Sequence, residues 1–218
     1  MSSIAEAYAT LNKCRTVAKD KGDAGEEILM ALAKEYQEDY PCVILWSYSY
    51  PYSSNRNGQL YTGNIKLQNG EFIELTKEGY NDEIDLVIVT NYRVFVIECK
   101  ARSGTWVLYD HWAKQNSVDV DKSPISQCEK HARHLYPLIY EYLPDGKPEY
   151  IVPLTVFVDK CKLTDKRGAF DRKYIKATIA NKFKSVLQAN DTPLEYQIDI
   201  KHLVDFMLQK GTVRKLCK

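Results

Sequence analysis

The chain has 218 residues, enough for one well-buried core with peripheral elements and short for two full domains. Its 44% apolar and 27% charged residues exclude a disordered chain and a membrane class. The net charge of +1 is unevenly spread: residues 160–218 carry 14 basic and 6 acidic side chains, leaving 16 basic and 23 acidic before them. An acidic body suits a carboxylate metal site and a basic tail suits a polyanion, although a solvated helical face accounts for the tail equally well.

The first residues lack a basic start followed by an apolar run, and no stretch is long enough to span a bilayer, so a cytoplasmic protein with no membrane partner is expected. Cys14, Cys42, Cys99, Cys128, Cys161 and Cys217 are scattered with no Cys-x-x-Cys pair, which suits reduced thiols.

In chain order, Asp23 to Tyr36 reads as a helix, with Ile28, Leu29, Leu32 and Ala33 at helical spacing behind acidic Glu26 and Glu27. Val43 to Tyr52 reads as a strand whose alternation places Trp46, Tyr48, Tyr50 and Tyr52 on one face, as packing or as a stacking platform for bases. Asn64 to Leu75 reads as a hairpin turning at Asn69-Gly70. A second hairpin joins Ile84–Val89 to Val94–Glu98 through residues 90–93, each run apolar on both faces as in the centre of a covered sheet. Ser123 and Pro124 supply an N-cap and first-turn proline for a helix running toward Tyr142, ended by Pro144-Asp145-Gly146. Tyr150 to Asp159 is another buried strand, and from about Arg172 the chain reads as two or more helices. This order predicts an α/β or α+β domain with a mixed central sheet.

Pairing the second hairpin about its centre sets Asp85 opposite Glu98, with Lys100 two residues beyond on the same face. Opposed carboxylates repel, and burying each costs several kcal/mol unless a cation or hydrogen bonds compensate. A hard divalent ion with oxygen ligands removes the conflict, and the backbone carbonyl of Cys99 could add a ligand. The same spacing also suits an ion pair at a strand end that needs no metal. Cys128, His131 and His134 drift around a helix and lack an evident fourth ligand, which argues against zinc there.

These motifs resemble a known family. Gly25-Glu26, Glu83-Ile84-Asp85, Ile97-Glu98-Cys99-Lys100, Gly104, Trp112 and Ser123-Pro124-Ile125-Ser126-Gln127 follow the order of the nuclease-related domain (NERD) family of the PD-(D/E)XK nuclease superfamily. The resemblance covers roughly residues 22–160 and implies a restriction-endonuclease-like mixed sheet flanked by helices. Residues 1–165 would form the nuclease-like domain, with an insertion at about 53–75, and residues 166–218 a basic helical extension packed on it.

The resemblance further implies a metal-dependent nuclease, acting on DNA rather than RNA, in which Asp85 and Glu98 hold Mg²⁺ or Mn²⁺ and Cys99 lends its carbonyl. Lys100 would position the attacking water and stabilise charge on the phosphate. Glu26, favoured over Glu27 by helical phase, would complete the metal shell, and Gln127 would bond the lysine, a water or a phosphate. Arg102, if the strand continues past Lys100, would contact the nucleic-acid backbone. The rival reading is a binding or regulatory module that keeps the fold without turnover.

Overall fold

The computed structural model describes residues 18–51, 64–66, 72–74, 81–110, 112–120 and 123–217. Helix α1 (Ala18–Asp39) leads into β1 (Cys42–Pro51), then β2 (Asn64–Lys66), β3 (Phe72–Glu74), β4 (Asn81–Thr90) and β5 (Val94–Lys100). The short strands β6 (Gly104–Leu108), β7 (Ala113–Gln115) and β8 (Val118–Val120) precede helix α2 (Pro124–Ile139). After β9 (Ile151–Phe157) and β10 (Cys161–Asp165) come α3 (Ala169–Tyr174), β11 (Lys176–Ile179), α4 (Phe183–Asn190), α5 (Ile200–Lys210) and β12 (Thr212–Cys217). Among the described residues no helix is long and apolar enough to cross a membrane.

Among the described residues the main sheet has six strands in the order β11-β9-β5-β4-β1-β12. It is mixed, since β11, β9 and β5 run parallel while β4, β1 and β12 pair antiparallel. Both faces are covered, which is why β4 and β5 are apolar on both sides. On one face Ile28, Leu29 and Ala33 of α1 and Phe183 and Leu187 of α4 pack on Ile44, Leu86, Phe95 and Ile97. On the other, Cys128, Leu135 and Ile139 of α2 and Leu203 and Met207 of α5 pack on Leu45, Val87, Val89 and Val96. A smaller sheet, β10-β6-β7-β8, buries Trp106 and Leu108 against Phe157.

The β4–β5 register is the one read from the sequence, running from Val89↔Val94 to Leu86↔Ile97. Beyond Ile97, β5 continues along β9 as far as Lys100↔Phe157, and β4 continues along β1 as far as Asn81↔Pro51. The two strands therefore diverge just short of the position at which Asp85 and Glu98 would pair.

Four expectations need correction. The aromatic stripe of β1 is broken: Trp46 packs on the α1 side, while Tyr48 and Tyr50 lie on the α2 side. The cause is Ser47, which has a φ of 52° in mid-strand and so cancels the alternation. Tyr52 lies outside the described residues. In the first hairpin Lys66 pairs with Phe72, whereas a two-residue turn at Asn69-Gly70 would pair it with Ile73; the turn itself is outside the described residues. Ser123 occupies the N-cap of α2, but its buried hydroxyl makes no cap bond, and its carbonyl instead accepts from Ser126 N and Oγ. Finally, the chain after residue 166 holds the helices α3, α4 and α5 and also β11 and β12, which form both edges of the main sheet. Charged side chains suit such short edge strands and hide them from a hydrophobic pattern.

Candidate active site

Asp85, Glu98 and Lys100 meet where β4 and β5 diverge. Past the last paired residues the Cys99 amide has lost its strand partner on the β4 side, and Asp85 Oδ2 accepts its hydrogen at 2.7 Å. The carboxylate thus takes the place of a backbone carbonyl, satisfying a group that would otherwise cost free energy. Glu98, 3% exposed, projects toward α2, where its Oε1 accepts from Lys100 Nζ at 2.6 Å. Gln127, in the first turn of α2, accepts from the same ammonium at 2.9 Å through Oε1. Lys100 is therefore held between a strand residue and a helix residue.

Glu26 reaches this place because of the residue before it. A Cβ on Gly25 would stand 2.7 Å from Ala101 Cβ and 3.2 Å from Cys99 Sγ, so only glycine lets α1 close on the end of β5. Glu26 is then partly buried and Glu27 exposed. Glu26 Oε2 accepts from Trp46 Nε1 at 3.4 Å, and the Arg214 guanidinium of β12 lies 4.6 Å over the same indole. The Cys99 thiol packs on the α1 side, away from Glu98 and Lys100.

The electrostatics follow from Asp85 standing near Glu98, with Glu26 acting on it more weakly. Burial, then the nearby charge of Glu98, pushes Asp85 up to about 7, with Glu26 adding to the shift and the Cys99 amide opposing it. Burial also raises Glu26, against the pull of the Trp46 hydrogen bond. The buried Glu98 Oε2 accepts no hydrogen bond. Among the described residues no group of three or more His, Cys, Asp and Glu side chains is arranged to cage a metal ion.

The structure thus brings Asp85, Glu98, Lys100 and Gln127 together, with Glu26 beside them. Arg102 is not carried to this place by the strand, because β5 ends at Lys100; it is exposed, 5.9 Å above the Trp106 ring. Gly104 opens β6 with a φ of 100°, and Trp112 stacks on Tyr109 in the smaller-sheet region. A cavity of about 830 Å³, lined by residues that include Arg93, Arg133, Tyr136, Phe170, Tyr174 and Lys176, shares no residue with the carboxylate cluster.

The sequence does not mark two residues as neighbours of Glu98. His131 Nε2 lies 3.5 Å from Glu98 Oε2, and Asp82 stands on the other side of the same imidazole. The available signal was spacing, since His131 follows Gln127 by four residues on one helix and so shares its side.

No curated protein and no solved structure matches the chain. The family model described as nuclease-related domain matches residues 21–158, a span running from the first turn of α1 through the end of β9 and holding every candidate residue above. The chain belongs to the nuclease-related domain family.

Proposed function

We propose that the protein is a Mg²⁺-dependent nuclease that hydrolyses phosphodiester bonds of DNA. The observation that carries this reading is the convergence of Asp85 and Glu98 on one end of an apolar ladder, beside a lysine bonded to both Glu98 and Gln127. A buried Glu98 and a partly buried Asp85 in that position repel, and taking such charges out of water costs several kcal/mol without compensation. Lys100 offsets one of them.

A hard divalent cation fits the remainder, since Mg²⁺ needs only one or two protein carboxylates and takes water and substrate phosphate for its other positions. Asp85 and Glu98 would hold it, Cys99 would offer its carbonyl, and Glu26 would complete the shell; Mn²⁺ would substitute. When bound, such a cation lowers the pKa of a water and offsets phosphate charge. Lys100 would orient the attacking water and meet the charge developing on the phosphate. Gln127 fixes the ammonium for that task. The free thiols among the described residues suit a reducing, cytoplasmic setting.

The test is incubation of the purified protein with plasmid DNA and Mg²⁺, beside Asp85→Ala and Lys100→Ala. The wild type should nick or linearise the plasmid, and each variant should lose at least roughly a hundredfold in rate. Equal cleavage by all three would sink the assignment. Salt-dependent DNA binding with no cleavage of any nucleic acid would favour a binding module instead.

A further inference from the structure

Between the sheet and α2 runs a chain of buried polar groups that hydrolysis, as described above, leaves without a task. Asp82, His131 and Glu98 are 9%, 4% and 3% exposed. Asp82 Oδ2 lies 2.8 Å from His134 Nδ1 and accepts from the Tyr50 hydroxyl at 3.4 Å. Its other oxygen lies 3.0 Å from His131 Nδ1. On the far side of the imidazole, His131 Nε2 faces Glu98 Oε2 at 3.5 Å, and Glu98 Oε1 holds Lys100.

His131 Nδ1 and Nε2 and Glu98 Oε2 are all buried without a hydrogen bond of good geometry, Nδ1 standing close to Asp82 by distance alone. Leaving such groups unpaired costs free energy, so Nε2 and Oε2, facing each other at 3.5 Å, are a donor and an acceptor that a small approach would join. An ordinary core histidine is satisfied within the core; this one spans two carboxylates, one of them in the candidate site.

We infer that His131 is a positioning residue for Glu98: with a hydrogen on each ring nitrogen, the imidazole faces Asp82 through Nδ1 and sets the direction of the Glu98 carboxylate through Nε2–H. The inference rests on the cation-binding reading of that site. Gln127 and His131 stand one helical turn apart on α2, so a single rigid element sets both Lys100 and Glu98. Partners behind a ligating group of this kind typically change metal affinity by about 10–100-fold when lost.

The test uses the full chain without nucleic acid, titrated with Mn²⁺ in a calorimeter, together with thermal melting of the metal-free proteins. An Asn amide nitrogen sits near the place of Nδ1, and a Gln amide nitrogen near that of Nε2. His131→Asn therefore keeps the contact to Asp82 and loses Glu98, while His131→Gln does the reverse. His131→Asn should weaken Mn²⁺ binding by roughly tenfold or more, and His131→Gln by less than roughly threefold. If His131→Asn does not fold, Asp82→Asn carries the same expectation of roughly tenfold weaker binding.

Wild-type affinity in His131→Asn, or in Asp82→Asn, would overturn the inference, as would equal weakening by Asn and Gln at 131. A purely structural histidine would lower both melting temperatures and leave Mn²⁺ affinity unmoved. Failure of the wild type to bind Mn²⁺ would overturn the cation-binding reading along with it, whereas wild-type binding with unmoved variants would overturn this inference alone.

Discussion

Replacing Asp85 by Asn should make the metal-free protein more stable at neutral and alkaline pH while abolishing cleavage. The unfolded carboxyl ionises near its ordinary 3.8, and burial together with Glu98 lifts the folded one to about 7. The folded chain therefore binds the extra proton between those values. The penalty is absent below 3.8, grows as pH rises through the window, and is complete above 7. At about 1.4 kcal/mol per tenfold change in proton affinity, it has a ceiling of about 4 kcal/mol at pH 8 and roughly 2 kcal/mol at pH 5. Asn keeps an oxygen for the Cys99 amide and carries no charge, so it escapes the penalty. The assay is urea denaturation of both proteins at pH 5 and pH 8 in chelator, repeated with Mg²⁺. The gap between variant and wild type should widen with pH, and Mg²⁺ should stabilise only the wild type. A wild type as stable as Asp85→Asn at pH 8 in chelator would refute the reasoning.

Gly25→Ala sets the roughly 1 kcal/mol gained in helix propensity against a Cβ forced to 2.7 Å from Ala101 Cβ. The net effect should be a loss on the order of 1–2 kcal/mol in urea denaturation, together with slower cleavage because α1 and Glu26 are pushed off the end of β5. At Ser47 the φ of 52° should make Gly neutral or favourable and Val unfavourable by roughly 1–3 kcal/mol, read as melting temperature. Ser47→Gly should still cleave DNA and Ser47→Val should not, because the neighbours of Ser47, Trp46 and Tyr48, pair with Leu86 and Ile84 on either side of Asp85. Equal melting of the two would show that the left-handed turn of β1 does not matter.

The centre of the molecule was legible because its physics is local. Two apolar runs about a short turn leave one register that buries both faces, and that register, Leu86↔Ile97 with Val89↔Val94, brings Asp85 to Glu98. The α1 phase likewise separates half-buried Glu26 from exposed Glu27. Ser47 was not legible, since a serine in the left-handed region carries no mark in sequence and its effect, moving Trp46 and Tyr48 to opposite faces, is a property of the folded strand. Nor were β11 and β12. Lys176-Ala177-Thr178-Ile179 and Thr212–Cys217 are short and charged, and they become strands only because the sheet offers them an edge. The place of His131 is not legible either, because its neighbours Asp82 and Glu98 come from β4 and β5 and meet it only after α2 docks.

The position of the site follows from one change in the sheet. β5 is the strand at which strand sense reverses, antiparallel to β4 on one side and parallel to β9 on the other. When β4 leaves it after Ile97, the Cys99 amide needs an acceptor, and the side chain of Asp85 is the one within reach. The anchor that satisfies the backbone is thus the same group that brings a second carboxylate to Glu98, and structure and charge conflict are separable by substitution. Asp85→Ala removes the charge and the acceptor together, whereas Asp85→Asn removes the charge alone. In chelator at pH 8, the alanine variant should be less stable than the asparagine variant by roughly 1–3 kcal/mol, the cost of a partly buried amide left unpaired. If alanine and asparagine proved equally stable, the Cys99 amide would have another acceptor, and the divergence of the strands would no longer explain why an acidic residue stands at 85.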